Sequence, residues 1–547
     1  MQQFKFTPKI IIYLGVIVTL ILTPWVNLDS LVVPKVIVLF CLAAYLIPQV
    51  ALVKKTELKN IEIKILYIIS ILIIAQMLLV LTITSAPIEQ QIFGRGGRGL
   101  GFLTYFSLIV ILLVTALRFS SIHANLIIFG LVLSAGVSSA YSVMQNYNLD
   151  VVSWVSRTNG VIGTIGNPNF QSAFAATALI LVLTFIQRNN LKNMLLVIAT
   201  IFLLIFTIYI CKSTQGYVAA IVSIITFISL YLRTKTKKLF YLFSALGILL
   251  IFVGVLGVFN SGPLSGLLYK YSIKSRAEMW RTSLTASSDN PFFGVGLDSF
   301  GDYSSYYKSE VDAAGVNEFT DNSHNYFLEY AVTGGYPLLV LHMFIIVLTL
   351  YSFFKVHSGN SKFDKHSAAL FSAWIALQAQ SLVSPAAIPL LFWTFVISGY
   401  IIGSSIKHIH SETISKISSN KVYKLTNKLS ILFVIFALIL TFPFFTADRL
   451  QLKSLNTNDA LLAVKVAKMY PESSSRYQRL GLELTKAGLM VQALEVARAA
   501  VVFNPNSFTG WALVLANDLA PLEEKKVALE ELKRLDPFNK MLKDVKL

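Results

Sequence analysis

The sequence predicts an all-α, polytopic membrane protein of about thirteen transmembrane helices, followed by a smaller helical repeat domain. Three observations carry this. Apolar side chains make up 55% of the 547 residues and charged ones only 14%, whereas soluble domains run near about 25% charged. The apolar residues gather in stretches of the roughly 17 to 25 needed to cross a bilayer as helices. From Ala447 onward the composition turns into that of an ordinary soluble domain.

The stretches follow in order. Ile10–Val26, Val36–Val53, Ile65–Ile83, Leu100–Leu117 and Leu126–Met144 come first. Phe170–Ile186, Leu191–Ile210, Tyr217–Leu232 and Leu239–Phe259 make the second group. Tyr326–Phe354, Ala368–Val383, Ile388–Ile406 and Leu429–Phe445 close the membrane part. Lys5 and Lys9 precede the first stretch, as in a signal peptide, but no small-residue cleavage site follows, so it reads as an anchor. Gly334 and Gly335 are candidates to break the tenth stretch. Residues 1–446 thus form a membrane domain with one long outer loop, 260–323, and residues 447–547 form the tail.

Charge orients the stack, because cytoplasmic connections retain Lys and Arg. With a cytoplasmic N-terminus, 21 basic residues fall inside, from Lys5 and Lys9 to Lys421, Lys424 and Lys428. Five fall in the short outer connections: Lys35, Arg95, Arg98, Arg157 and Lys212. The net charge of +18 is therefore a record of topology. The tail and the long loop are placed outside the cytoplasmic membrane. Basic residues dispersed at helix ends exclude a nucleic-acid surface. Cys41 and Cys211 both lie in or at the end of apolar stretches and offer no disulfide framework.

In the tail, Tyr477, Leu480, Gly481, Leu484, Ala493, Ala497, Ala500 and Pro505 have the spacing of a tetratricopeptide unit of about 34 residues. Such units form helical scaffolds that hold a partner or prop a neighbouring domain. A capping bundle on the outer membrane face reads equally well.

Chemistry concentrates in the outer loop. Of seven histidines, His324 alone falls outside, in Asp321-Asn322-Ser323-His324-Asn325, just ahead of a predicted membrane helix. The capping residues and free amides of such a helix start favour an anion, and a histidine there is suited to general-base work at neutral pH. Arg276, in Lys274-Ser275-Arg276-Ala277-Glu278-Met279-Trp280-Arg281, can hold a phosphate through two parallel hydrogen bonds. The plain alternative for this segment is a surface ion pair of Glu278 with Arg281. Pro291-Phe292-Phe293-Gly294-Val295-Gly296 marks a sharp turn or a close backbone approach.

These segments together resemble the O-antigen ligase and polymerase superfamily. The resemblance rests on Arg276 with Trp280, on Pro291-x-x-Gly294-x-Gly296, and on His324-Asn325 before a helix broken at Gly334-Gly335. Upstream, Gly163-Thr164-Ile165-Gly166-Asn167-Pro168-Asn169-Phe170 and Arg98-Gly99-Leu100-Gly101-Phe102-Leu103-Thr104-Tyr105 are similar to stretches of the same proteins. The resemblance spans roughly Pro34 to Tyr400. It implies a GT-C-like fold and an inverting glycosyltransferase that moves a glycan from a polyprenyl-diphosphate carrier to a lipid, glycan or protein acceptor. His324 would be the base and Arg276 the cation at the leaving diphosphate. Arg98, Arg157, Lys212, Gln215, Arg281, Asn325, Gly294, Gly296, Asn167 and Asn169 would contribute to substrate binding. One departure stands out: many members carry Ser-Arg-Gly where this chain reads Lys212-Ser213-Thr214-Gln215-Gly216.

No cofactor is expected, and no metal. Asp29 is alone in its loop, and Asp298, Asp302, Glu310, Asp312, Glu318 and Asp321 lack ligand spacing; they read as a solvated acidic face. The competing function is a transporter or flippase of envelope glycolipids. Transporters place ionisable groups near the bilayer centre, whereas here the middles of the spans lack Asp, Glu, Lys and Arg; His342 and Glu329 are the nearest exceptions, and Glu329 lies close to the outer boundary.

Overall fold

The computed structural model describes residues 7–51, 53, 57–152, 154, 160–187, 189–258, 262–263, 271–314, 320–357, 363–406, 420–543 and 545. Arg157, Lys5, Lys54, Lys55, Arg188, Glu318, Lys362, Lys407, His408, His410 and Lys416 lie outside them. All regular structure among the described residues is helical. Eight helices are long and apolar enough to cross a membrane, and Thr7–Leu20, Phe102–Arg118 and Ile388–Ser404 are shorter apolar helices. The first helix ends at Leu20, six residues before the expected Val26, and the chain turns there toward Asp29.

Ile388–Ser404 is the axis of the bundle: each residue from Ile388 to Gly403 is buried. It packs against Phe102–Arg118, where Gly399 and Gly403 admit the carbonyls of Leu112 and Ala116; a Cβ would stand 2.7 and 2.5 Å from them. Small residues bring membrane helices this close. Buried indoles find polar partners across the packing, Trp393 Nε1 on Thr19 Oγ1 at 3.0 Å and Trp374 Nε1 on Ser398 Oγ at 2.8 Å. By contrast, Leu191–Ile210 exposes Leu195, Leu196, Phe202 and Tyr209. Apolar side chains turned outward in this way suit a lipid-facing surface.

The connections alternate between two ends, as a stack of crossing helices requires. At one end Arg118 pairs with Glu57 at 2.8 Å, Lys355 with Glu62, and Lys365 Nζ donates to the Thr184 carbonyl at 2.7 Å. At the other end the backbone of Gly97 donates to Asp29 at 2.7 Å, Lys35 to the Thr164 carbonyl at 2.6 Å, Ser213 to Asn169 at 2.7 Å, and Ser384 to Gln215 at 2.7 Å.

Tyr326–His357 is interrupted at Gly335, whose φ of 78° and ψ of 169° are non-helical. Pro291–Gly296 docks into that interruption. Val295 N–H donates to the Val332 carbonyl and Tyr336 N–H to the Pro291 carbonyl, both at 2.8 Å. Gln76 Nε2 bridges the carbonyls of Phe292 (2.6 Å) and Gly334 (3.0 Å). A Cβ on Gly294 would stand 2.4 Å from the Val332 oxygen, and one on Gly335 2.3 Å from Phe292 backbone. Only glycine fits either place.

The last membrane stretch continues without interruption into the tail as one helix, Asn420–Thr457, so the expected boundary at 446 falls inside a helix. Beyond it, Ala460–Ala467, Ser474–Lys486, Met490–Phe503, Phe508–Ala516 and Leu522–Leu535 pack as successive helices. Tyr477, Leu480, Leu484, Ala493 and Ala500 share their core. The tail folds back onto the long loop, with Asn504 Nδ2 donating to Asp302 and Asn506 Nδ2 to the Tyr303 hydroxyl, each at 3.0 Å.

Candidate active site

His324 stands at the tip of a clamped loop. Its φ is 47°, a left-handed conformation rare for a residue with a side chain. Its N–H donates to Asn322 Oδ1 at 2.8 Å. The next residue, Asn325, caps the Tyr326–His357 helix by accepting from the N–H groups of Phe327 and Leu328 at 3.0 and 3.1 Å. Two buried groups secure the loop from below. Arg98 Nη1 donates to the Asp321 carbonyl at 2.7 Å, and Ser323 N–H donates to Glu329 Oε2 at 2.7 Å. The clamp closes on itself, because Arg98 Nη2 also donates to Glu329 Oε1 at 3.0 Å.

A second carboxylate ties the clamp to the neighbouring turn. Asp298 lies 3.1 Å from Arg98 Nε and accepts from the N–H groups of Arg95 and Leu100 at 2.8 and 3.0 Å. Burial pushes Asp298 up to about 6, against the pull of Arg98. Burial also works against ionisation of Asp321, but Arg98 and Arg95 outweigh it and hold that carboxyl below its ordinary value.

Arg276, on the helix Tyr271–Asp289, reaches the same place from the other side. Burial draws its guanidinium below the ordinary value, and among the described residues no carboxylate offsets it. His324 is held down to about 4, first by burial and then by the Arg276 charge, with Asp321 pulling the other way. The Arg276 charge thus acts on the His324 imidazole, while among the described residues no carboxylate acts on Arg276 itself.

The remaining expected residues divide. Arg98 is committed to Glu329, Asp298 and Asp321 and acts within the protein. Arg281 forms a two-point ion pair with Asp312, at 2.5 and 3.2 Å. Asn325 is a helix cap, and Gly294 and Gly296 belong to the docked turn. Asn169 accepts from Ser213. Lys212 is exposed. Gln215 is buried, accepts from Ser384, and leaves its Nε2 without a partner. Asn167 caps the Pro168–Val182 helix and lines a cavity of about 250 Å³ beside Asn322 and Arg98. Arg157 lies outside the described residues.

The acidic residues of the loop correct one expectation. Asp298, Asp302 and Asp312 do not form a solvated face: their side chains are 0%, 5% and 4% exposed and pair with Arg98, Arg95 and Arg281. Arg95 and Arg98 come from a distant connection, so no local spacing announced the pairs. Among the described residues, no group of three His, Cys, Asp or Glu is placed to hold a metal ion. Glu329 was the legible omission, since an acid in the first turn of a helix is well placed to accept free amides.

Fold and composition together define an all-helical protein of the multi-pass membrane type, with His324 and Arg276 near one another in its long loop. The O-antigen ligase family model matches residues 199–343, which include Gln215, Arg276, the docked glycine turn and His324. Over those residues the chain is similar to the O-antigen ligase family, which suggests a membrane glycosyltransferase-like function. A comparison with curated proteins returns no match.

Proposed function

We propose that the protein transfers a glycan from a polyprenyl-diphosphate carrier to an acceptor hydroxyl at the outer face of the bacterial cytoplasmic membrane. The observation that carries this reading is the clamp of Arg98 and Glu329 that holds His324 at the tip of its loop, where the Arg276 charge acts on its imidazole. The acceptor hydroxyl attacks the anomeric carbon and gives its proton to His324. The bond from that carbon to the diphosphate oxygen breaks, and the diphosphate leaves with the electron pair toward Arg276. One displacement inverts the anomeric configuration. No step calls for a metal, and a chelator leaves transfer unchanged.

In this reading thirteen helices cross the membrane, the N-terminus is cytoplasmic, and the tail is a tetratricopeptide-like domain outside. Ligase, polymerase and protein O-oligosaccharyltransferase share the donor chemistry and differ in the acceptor. The tail, resting on the long loop at Asp302 and Tyr303, favours a large or proteinaceous acceptor. The test is transfer in vitro from a polyprenyl-diphosphate glycan, comparing wild type with His324→Ala and Arg276→Ala. Loss in both is expected; full activity in both refutes the site.

A further inference from the structure

Beside the His324 loop lies the cavity of about 250 Å³ lined by Asp29, Lys35, Asn167, Phe170, Ala386 and Ile388, among others. By the same kind of measure a water needs about 10–15 Å³, so the space accommodates a ligand many waters in size. Asn322 joins it to the site, because it lines the cavity and accepts the His324 N–H.

The walls are chemically mixed. Leu31, Val32, Ile165 and Phe170 supply apolar surface. Lys35, 2% exposed, donates to the Thr164 carbonyl, which leaves ammonium N–H groups for another acceptor. Asp29 accepts from Val32 and Gly97 and is close enough to balance the Lys35 charge. The Ile388–Ser404 helix begins at the cavity with no side-chain cap on its first turn, so its leading amides also seek acceptors.

Charge decides what such a space takes. Each cation at the cavity has a carboxylate acting on it, Asp29 on Lys35 and Glu329 and Asp298 on Arg98, whereas among the described residues none acts on Arg276. An anion therefore gains more at Arg276. A neutral ligand with several hydroxyls and an aliphatic face matches the paired donors, acceptors and apolar wall. Resting on the glycosyl-transfer reading, we propose that this cavity binds one sugar ring, with Lys35, Asp29 and Asn167 meeting its hydroxyls and Phe170 its apolar face. The ring belongs either to the donor glycan or to the acceptor.

The test uses the full chain in lipid nanodiscs. The probes are methyl glucoside, methyl galactoside and methyl N-acetylglucosaminide, read by saturation-transfer NMR, and inorganic diphosphate, read by phosphorus line broadening. Ala386→Phe fills the cavity and is expected to weaken binding of the glycoside that wild type binds by about tenfold, while diphosphate binding persists. Arg276→Ala gives the reverse. Absence of any glycoside signal from wild type, or an undiminished signal in an Ala386→Phe protein that melts like wild type, overturns the proposal. Should Ala386→Phe fail to fold, Phe170→Leu decides by the same comparison. In transfer assays, a raised KM for the donor assigns the ring to the donor and a raised KM for the acceptor assigns it there; no change in either overturns the site. Glycoside binding that responds as expected in a protein that transfers nothing leaves the sugar site standing and removes the glycosyl-transfer reading.

Discussion

Replacing Glu329 removes the one carboxylate that holds both Arg98 and the His324 loop. It is 3% exposed and takes Ser323 N–H on one oxygen and Arg98 on the other. Breaking a buried ion pair costs about 3–5 kcal/mol. Asp298 and the Asp321 carbonyl remain on Arg98 in the variant, so Glu329→Ala belongs at the lower end, about 3 kcal/mol. Glu329→Gln keeps an acceptor for Ser323 but gives up charge-assisted bonding, a loss of about 1–2 kcal/mol. The loop then relaxes toward the right-handed backbone that His324 would otherwise prefer. A displacement of about 1 Å at a reacting group costs about 100-fold in rate. The expected result in purified protein is a fall in kcat of about that size for Glu329→Ala, a smaller one for Glu329→Gln, and a nearly unchanged donor KM, because Arg276 is untouched. Melting temperatures should fall in the same order. A Glu329→Ala protein with wild-type kcat and wild-type melting would show that the clamp does not position His324.

Three further outcomes are expected. With His324 held near 4, the acid limb of kcat/KM lies near that pH rather than near 6.5, and NMR of labelled histidine in Arg276→Ala shows the imidazole titrating closer to 6.5. Because the unfolded chain binds this proton at higher pH than the folded one, stability falls as pH drops from 6.5 toward 4, which pH-dependent melting checks. Arg276→Lys keeps the charge but loses two-point binding, and steady-state kinetics should record a drop of about tenfold in kcat/KM. Gly335→Ala meets Phe292 backbone at 2.3 Å in a conformation closed to alanine; denaturation should register a loss of about 1–3 kcal/mol or more.

The helices were legible because each rests on local information, an apolar stretch long enough to form one. That His324 and Arg276 come near one another was legible for a related reason, since they lie in one loop. The fate of Arg98 was not. Its partners are 200 and 231 residues away in sequence, at Asp298 and Glu329, and only the folded bundle reveals that it is spoken for. The same holds for the loop's carboxylates, which composition painted as solvated and packing placed against arginines. Lys35 was read only as a topological charge, because nothing near it in sequence indicates that Asp29, Thr164 and Asn167 gather around it. The glycine turn was recognised as a close approach, but what it approaches, the interruption at Gly335, is a tertiary fact.

The helix Asn420–Thr457 has 38 residues, so at about 1.5 Å per residue it is roughly 57 Å long. The hydrocarbon layer is about 30 Å thick, and a large part of the helix stands clear of it. The tail is therefore mounted on a helical mast, with Pro443 inside it, whose length sets its elevation and whose pitch sets its compass bearing. A single residue added between Phe445 and Asn458 would rotate everything beyond by about 100° and carry Asn504 and Asn506 away from Asp302 and Tyr303. Length in this segment is under angular control, and evolution can lengthen it only in whole turns.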